Sequence, residues 1–329
     1  MITVQKQGLL TTVQDMGRIG HQHQGIVVGG ALDAFGARVI NMIVGNEDNT
    51  ALLEMAQTGP DLVFAQDTLV AWTGGEFFPR LNSELLPRDR AVRVAAGDVI
   101  SFGFAQRGLR AWLAIAGGID VPLVLGSRST YRRAGVGGHQ GRPLVAGDKL
   151  KLGTRSAWSE QVLERLRSTT TRSTAWTIRP ETMGRPAPVG VLRAMRGPEW
   201  DWFTPQAQEA FFKTEWSATH EGDRMGLRLE GRSLPLLKSR EMISSAVNSG
   251  VVQVPPAGQP IVLLPSRQSI GGYPRIAAVA AVDLRLCTQM RPGDKVKFEE
   301  ITLSAAHEIY LARERDLGRV RMGLARLAG

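Results

Sequence analysis

The sequence predicts a mainly β fold, with two β-rich domains and a few short helices. Glycine accounts for 37 of the 329 residues, and 17 prolines are spread along the chain. Short runs rich in valine, isoleucine and leucine lie between Gly, Pro and Asp residues, which is typical of short strands joined by tight turns. Strands do not alternate regularly with long helices, so a doubly wound α/β fold is disfavoured.

The same Gly-Asp turn precedes three segments of alternating apolar and polar residues, at Gly97-Asp98, Gly147-Asp148 and Gly293-Asp294. In such a turn Gly adopts a positive φ and Asp caps the turn. The alternation that follows predicts a half-buried strand each time, and the repetition indicates related β-units. The other predicted strands are 62–65, 69–72, 92–94, 111–115, 251–254 and 261–264.

Four helices are predicted. The clearest covers 33–44, where Asp33 can act as N-cap and the apolar residues form one stripe. A second covers 204–212, with Thr204 as cap and Pro205 at the first helical position. The other two cover 159–167 and the tail from residue 304.

The domain boundary is placed where strand periodicity is lost. The Ser- and Thr-rich run 169–174 can bury little apolar area and is predicted to be an exposed linker. The predicted division is a β-rich N-terminal domain over 1–155, a linker over 156–188, a β-rich C-terminal domain over 189–303 and a helical tail over 304–329.

Composition excludes several classes of protein. The single cysteine, Cys287, cannot form an intramolecular disulfide and lies in an apolar stretch typical of a buried thiol. The N-terminus has no signal-peptide pattern, and the apolar runs are far shorter than the ~20 residues that span a bilayer. We therefore expect a cytoplasmic protein that has no membrane partner.

The net charge of +9 and the sequence pI of about 10.3 are compatible with binding of nucleic acid. The arginines are spread along the chain and no nucleic-acid-binding motif accompanies them, so we expect no nucleic-acid partner. An acidic substrate or an acidic partner surface explains the charge about as well.

No metal site is predicted. His21 and His23 lie two residues apart without a nearby carboxylate or thiol, and His139, His220 and His307 are isolated. No Ser/His/Asp arrangement is apparent either.

Two kinds of polar segment are candidates for a site. The glycine-rich run 135–142 follows Arg128, Arg132 and Arg133, and its backbone N–H groups would favour an anion, although plain turn geometry explains it as well. The turns at Asp15–Arg18 and Asp223–Arg224 are interpreted as salt bridges that fix a turn.

The most unusual segment is 265–274, where an apolar strand ends in Ser, Arg and Gln and a Gly-Gly-Tyr-Pro turn follows. Arg267 can bind a carboxylate or a phosphate through two parallel hydrogen bonds. Gln268 offers both a donor and an acceptor, which suits an amide or a lactam. A polar loop at the end of a strand is a common location for a functional site.

Six segments in order resemble one known family over roughly residues 1–303. The chain is similar to the biotin-dependent carboxyltransferase family, also called allophanate hydrolase subunit 2. The matching segments are 8–18, 29–33, 44–46, 125–130, 223–229 and 268–274.

The resemblance implies two cyclophilin-like β-barrel domains and a hetero-oligomeric enzyme. It implies ATP-dependent opening of the lactam of 5-oxo-L-proline to L-glutamate, with ATP and Mg²⁺ bound in the complex. The implied partners are a sister protein similar to the B subunit of 5-oxoprolinase, a protein similar to its A subunit, and a small amide substrate. On this basis the predicted catalytic residues are Asp33, Arg267 and Gln268, and the predicted substrate-binding residues are Ser127, Arg128, Thr130, Gln253 and Tyr273.

Two alternatives stay open. One is a biotin-dependent carboxyltransferase acting on urea or a similar amide, with biotin supplied by another protein because no biotin-attachment domain is visible. The other is a non-catalytic regulator of the sister protein. The family usually has Asp-Arg-Gln-Thr-Thr-Gly-Gly-Tyr-Pro where this chain has Ser266 in place of the Asp and Ile270 in place of the second Thr. A lost carboxylate at position 266 would favour altered activity or the regulatory role.

Overall fold

The computed structural model of the protein describes residues 1–178 and 189–328. These residues form two compact units, one made of 1–18, 29–178 and 316–328 and the other of 19–28 and 189–315. The fold is mainly β, as the sequence predicted.

The first unit contains two antiparallel sheets. Their strands are β1 (Ile2–Lys6), β2 (Leu10–Gln14), β3 (Leu52–Ala56), β4 (Asp61–Phe64), β5 (Thr68–Glu76), β6 (Arg80–Leu81), β7 (Glu84–Leu85), β8 (Val92–Val94), β9 (Val99–Ser101), β10 (Arg107–Ile115), β11 (Ile119–Asp120) and β12 (Lys149–Leu152). One sheet has the order β11-β12-β1-β4-β9-β6-β7 and the other β2-β3-β10-β5-β8. Both sheets contribute to one core of buried side chains, among them Phe64, Val70, Phe102 and Leu113.

The second unit contains a closed barrel. Its strands are β13 (Val189–Arg196), β14 (Trp216–Ala218), β15 (Gly226–Glu230), β16 (Ser245–Ala246), β17 (Val251–Gln253), β18 (Ile261–Leu263), β19 (Ile270–Gly271), β20 (Arg275–Val279) and β21 (Lys295–Glu300). The barrel order is β13-β20-β17-β18-β15-β14-β21, while β16 and β19 form a separate two-stranded ribbon. Parallel pairing of β13 with β21 closes the barrel. The Phe211 ring stacks on Phe298 with 4.3 Å between ring centroids.

The predicted helix caps are present. The Asp33 carboxylate accepts a 2.9 Å hydrogen bond from the Gly36 N–H, and the Thr204 hydroxyl accepts one of 3.1 Å from the Ala207 N–H. The helices are Ala34–Ile43, Ala157–Arg167, Pro205–Lys213, Leu284–Cys287 and Leu303–Ala328, with short 3₁₀ turns at Gln22–Gln24, Arg132–Ala134, Trp200–Trp202 and Ala281–Asp283. No helix in the described parts of the chain is both long enough and apolar enough to cross a membrane.

The three Gly-Asp turns are confirmed and share one hydrogen-bond pattern. Their glycines have φ values of 89°, 91° and 89°. In each turn the Asp carboxylate accepts a 2.8 Å hydrogen bond from the N–H three residues earlier, and the strands β9, β12 and β21 follow as expected. The turn is therefore stabilised by hydrogen bonds between residues close in sequence, so its conformation can be predicted from the sequence alone.

The predicted linker differs from the structure over its first part. Residues 156–178 belong to the first unit, where the helix Ala157–Arg167 buries Val162, Leu163 and Leu166. The Arg93 N–H donates to the Arg172 carbonyl at 2.7 Å, so the Ser- and Thr-rich run pairs with β8, while residues 169–172 are exposed as predicted. The rest of the predicted linker, 179–188, lies outside the described residues, and the boundary there stays a prediction.

Candidate functional site

The predicted site residues lie in both units. Asp33, Ser127, Arg128 and Thr130 belong to the first unit, and Gln253, Arg267, Gln268 and Tyr273 belong to the second. We call the group Asp15, Ser127, Arg128 and Ser129 the Asp15 cluster, and the group Gln253, Arg267, Gln268 and Tyr273 the Arg267 cluster.

The Asp15 cluster is organised by one buried carboxylate at the end of β2. One Asp15 oxygen accepts hydrogen bonds from the Ser127 hydroxyl and the Ser129 hydroxyl, each at 2.6 Å, and from the Gly17 N–H at 2.8 Å. The other oxygen accepts from the Arg128 N–H at 2.5 Å. Bonds to a charged acceptor are stronger than neutral ones, so this carboxylate determines the path of the 127–129 segment.

Arg18, which is not a member of this cluster, and Arg128, which is, both donate to carbonyl oxygens. The buried Arg18 donates to the Val124 carbonyl and the Ser129 carbonyl, each at 2.8 Å, and not to the Asp15 carboxylate as the turn interpretation had it. Burial lowers the pKa of Arg18, and the charge of Asp15 opposes that shift. Arg128 donates from Nε to the Val121 carbonyl at 2.9 Å and remains half-exposed.

The other two predicted residues of this unit have structural contacts. Asp33 caps its helix, and the neighbouring Ala31 N–H donates to the Asp15 carbonyl at 2.8 Å. The Thr130 hydroxyl donates to the Val13 carbonyl at 3.0 Å. Because the Ser127 and Thr130 hydroxyl groups are buried and already donating, their visible role is to position the segment that carries Arg128. Their predicted substrate contacts stay predictions.

The Arg267 cluster is centred on a buried guanidinium. Arg267 is only 5% exposed to solvent. Its guanidinium donates to the Val247 carbonyl at 3.1 Å, to the Ser249 hydroxyl at 3.1 Å and to the Asn248 Oδ1 at 3.4 Å. Burial lowers the pKa of Arg267. Among the described residues no carboxylate forms an ion pair with it, so a buried cation here is held by neutral oxygens alone. Such a group is suited to receive an anion.

The Arg267 cluster also contains two amide side chains. The buried Gln253 donates to the Tyr273 carbonyl at 3.3 Å. A Cβ on Gly271 would lie 2.5 Å from the Gln253 Nε2, so only glycine leaves this amide in place. The Gln268 side chain is half-buried and makes no hydrogen bond within the described parts of the chain, and Tyr273 is 45% exposed. The arrangement offers one cation and two amides to a small polar ligand.

The position that departs from the family pattern lies against another of the matching segments. Ser266 is buried, its hydroxyl accepts a 3.3 Å hydrogen bond from Arg224 Nε, and its N–H donates to the Arg224 carbonyl at 3.1 Å. Position 266 therefore faces a guanidinium and supports the strand end from which Arg267 follows.

Two acidic residues have structural contacts that the sequence does not predict. The pattern at Asp15 predicts only a turn, and no motif in the sequence includes Glu199. Glu199 makes two 2.7 Å hydrogen bonds to the Arg275 guanidinium and accepts a third, of 3.0 Å, from its N–H. This pair anchors β20 directly after the Gly-Gly-Tyr-Pro turn. The dipeptide Gly17-Arg18 is the one feature near Asp15 that indicates a special turn, whereas nothing in the sequence around Glu199 indicates its partner Arg275.

The described residues contain no group of three or more His, Cys, Asp and Glu side chains that could hold a metal ion. Cys287 is buried, and burial raises the pKa of its thiol to about 12, which suits a structural residue.

Comparisons with known proteins agree on one family. A sequence model of the carboxyltransferase domain, subdomain A and B, matches residues 24–300. The C subunit of 5-oxoprolinase from Escherichia coli is 36% identical over 93% of this chain and 93% of its own length. The urea amidolyase of Saccharomyces cerevisiae is 31% identical over 94% of this chain but 17% of its own length. The crystal structure of the urea amidolyase of K. lactis superposes with a TM-score of 0.85 at 27% identity, covering 97% of this chain and 20% of that one.

Proposed function

Because the chain belongs to the carboxyltransferase family defined by subdomains A and B, we propose that it is the C subunit of an ATP-dependent 5-oxoprolinase. The observation that carries the proposal is the similarity to the E. coli protein, which extends over 93% of both chains. The chain spans only about a fifth of the urea amidolyases it resembles, so those similarities support a shared fold more than a shared activity.

The reaction opens the lactam of 5-oxo-L-proline to L-glutamate. A lactam carbonyl is a poor electrophile. Transfer of the terminal phosphoryl group of ATP to the lactam oxygen releases ADP and activates the ring carbon. Water then adds to that carbon and the C–N bond breaks, which frees the amine and leaves γ-glutamyl phosphate. A second water hydrolyses this acyl phosphate and releases phosphate and glutamate. Such a chemistry needs cations for the phosphoryl group and fixed polar groups for the ring.

The Arg267 cluster offers some of these groups. We assign Arg267 to the substrate carboxylate, because it is buried without a carboxylate partner in the described residues. Gln253 and Gln268 hold the lactam amide, and Tyr273 covers the ring from the exposed side. Arg128, half-exposed in the first unit, stays a predicted anion-binding residue. A catalytic role for Asp33 is part of this proposal. In the structure its carboxylate caps a helix by accepting a hydrogen bond from the Gly36 N–H.

The proposal includes partners. The C subunit of 5-oxoprolinase is by its name one component of several, and we propose two partners in the cytoplasm. One is a sister protein similar to the B subunit, and the other is a protein similar to the A subunit. ATP with Mg²⁺ binds in the assembled complex, where other chains contribute ligands.

The test is ATP-dependent conversion of 5-oxoproline to glutamate by the assembled complex, with each component omitted in turn. We expect conversion to require this chain. Arg267→Ala should reduce kcat/KM by at least about 100-fold, the cost of leaving a charged substrate group unpaired. Arg232→Ala, a change at an exposed arginine of the same unit, is the matched control and should leave turnover unchanged. Equal turnover in both variants would contradict the assignment.

A carboxyltransferase is the second candidate, favoured by the fold shared with urea amidolyase. In that case a partner supplies biotin, and avidin should abolish turnover of urea, whereas it should not affect 5-oxoproline cleavage. An assembled complex that turns over neither substrate would favour a regulatory role, consistent with Ser266 at the position of the family's Asp.

A further inference from the structure

A cavity of about 620 Å³ in the first unit contains none of the predicted catalytic or substrate-binding residues. It is lined by β11, by β12, by the segment that follows β11 and by the glycine-rich loop 135–141. Small-molecule sites commonly have volumes of roughly 300–1,000 Å³, so this cavity is large enough for a metabolite.

The loop presents backbone N–H groups in an unusual conformation. Gly137 and Gly138 have φ values of 70° and 55°, and Gln140, which is not a glycine, has a φ of 57°. Within the described residues the N–H groups of Gly137, His139 and Gln140 have no hydrogen-bond acceptor. Free N–H groups in a turn that contains left-handed residues can together bind an anion. A left-handed non-glycine residue also stores strain, and such strain is found at functional sites.

The loop is held rigidly. A Cβ on Gly137 would overlap the Ser129 carbonyl oxygen, and one on Gly138 would overlap the Thr130 hydroxyl, so the loop packs directly on that segment. At its far end Arg142 makes two 2.8 Å hydrogen bonds to Asp148. The free N–H groups are therefore preorganised, which reduces the entropic cost of binding.

Two cations flank the loop. Lys149 and Lys151 alternate on β12 and so lie on the same face of the strand. Both are exposed, and neither forms an ion pair with any described residue. Asp120 pairs with Lys151 in the β11–β12 register and also lines the cavity. Its negative charge would weaken the binding of an anion there. The apolar residues Val121, Pro122 and Val124 also line the cavity.

We propose that this cavity binds a small organic phosphate. The free N–H groups and the two ammonium groups surround the phosphate oxygens, and the apolar residues contact the organic part. A phosphate dianion has three terminal oxygens and uses more of these donors than a carboxylate, which has two. Binding is measured on this chain alone, so its outcome is independent of the 5-oxoprolinase activity.

The experiment is calorimetric titration of the full chain with phenyl phosphate, with inorganic phosphate and with benzoate at one ionic strength. Phenyl phosphate should bind at least about tenfold more tightly than benzoate, because it presents one more charge and one more acceptor. Binding of inorganic phosphate alone would show a plain anion site and would overturn the proposal, as would equal binding of benzoate.

Variants locate the site. The double variant K149A/K151A should weaken phenyl phosphate binding by about tenfold or more, and Asp120→Asn should strengthen it, because a repulsive charge is removed. Lys297→Ala is the matched control, since Lys297 follows the corresponding Gly-Asp turn on β21 and is also exposed. All four positions are on the surface, so the variants should remain folded. Phenyl phosphate binding that is unchanged in K149A/K151A would overturn the proposal.

Discussion

The Asp15 carboxylate accepts a 2.6 Å hydrogen bond from the Ser127 hydroxyl, which lies 112 residues further along the chain. With the Ser129 hydroxyl and two backbone N–H groups, this carboxylate has four donors. The 127–129 segment, which carries the half-exposed Arg128, thus depends on a residue at the end of β2 for its conformation.

Asp15→Ala should therefore destabilise the first unit. Removing the acceptor leaves buried donors unpaired, and each costs about 1–3 kcal/mol, so we expect a loss of at least about 3 kcal/mol in the free energy of unfolding. Urea denaturation measures this. Asp201→Ala, at an exposed carboxylate of a 3₁₀ turn, should change the free energy by less than about 0.5 kcal/mol. Similar values for the two variants would show that Asp15 does not organise the segment.

Stability should depend on pH through Asp148. Its hydrogen bonds from Arg142 lower its pKa from 3.8 to about 2. A carboxyl group whose pKa is lower in the folded state than in the unfolded state stabilises the folded protein fully at a pH above its unfolded pKa. The stabilisation is lost as the pH falls from about 3.8, the unfolded pKa, through about 2, the folded pKa. The contribution is on the order of 2 kcal/mol.

Asp148→Asn should remove this part of the pH dependence, which unfolding at pH 5 and at pH 2.5 can measure. Asp294→Asn is the control, because Asp294 makes the same turn hydrogen bond but has no ion pair in the described residues. The idea fails if wild type and Asp148→Asn lose equal stability between the two pH values.

Gly271 and Gly272 provide a matched pair for the Arg267 cluster. In Gly271→Ala the new Cβ would meet the Gln253 Nε2 at 2.5 Å, whereas in Gly272→Ala its nearest neighbour is the Ser244 hydroxyl at 3.2 Å. We expect Gly271→Ala to cost about 1–3 kcal/mol by overpacking and to displace the Gln253 amide, while Gly272→Ala costs less. Turnover by the assembled complex should fall in the first variant and persist in the second, and the reverse order would exclude Gln253 from the site.

Ser266→Asp should form an ion pair with Arg224, because the hydroxyl already lies 3.3 Å from its Nε. A charge-assisted bond replaces a neutral one, so we expect a gain of up to about 1 kcal/mol that decreases at high salt. Unfolding at low salt and at high salt measures it, with Ser266→Ala as the control. A salt-independent loss of stability in Ser266→Asp would show that position 266 does not face the guanidinium.

Much of the local structure could be predicted. The Asp33 and Thr204 caps and the three Gly-Asp turns depend on residues within three positions of one another, so their chemistry is visible in the sequence. The composition of the run 169–174 predicted the exposure of residues 169–172 but not the pairing with β8, because β8 belongs to a distant part of the sequence and local composition carries no sign of it.

The sequence by itself determined the family, the mainly β fold and the residue types of the candidate sites, because these follow from ordered motifs, strand patterning and short-range turns. Only the tertiary structure decided how those residues are used. It showed the Ser127 and Thr130 hydroxyl groups donating within the protein and Arg267 buried without a carboxylate partner in the described chain. The physical reason is that hydrogen-bond partners and burial come from segments far apart in sequence, and only folding brings them together.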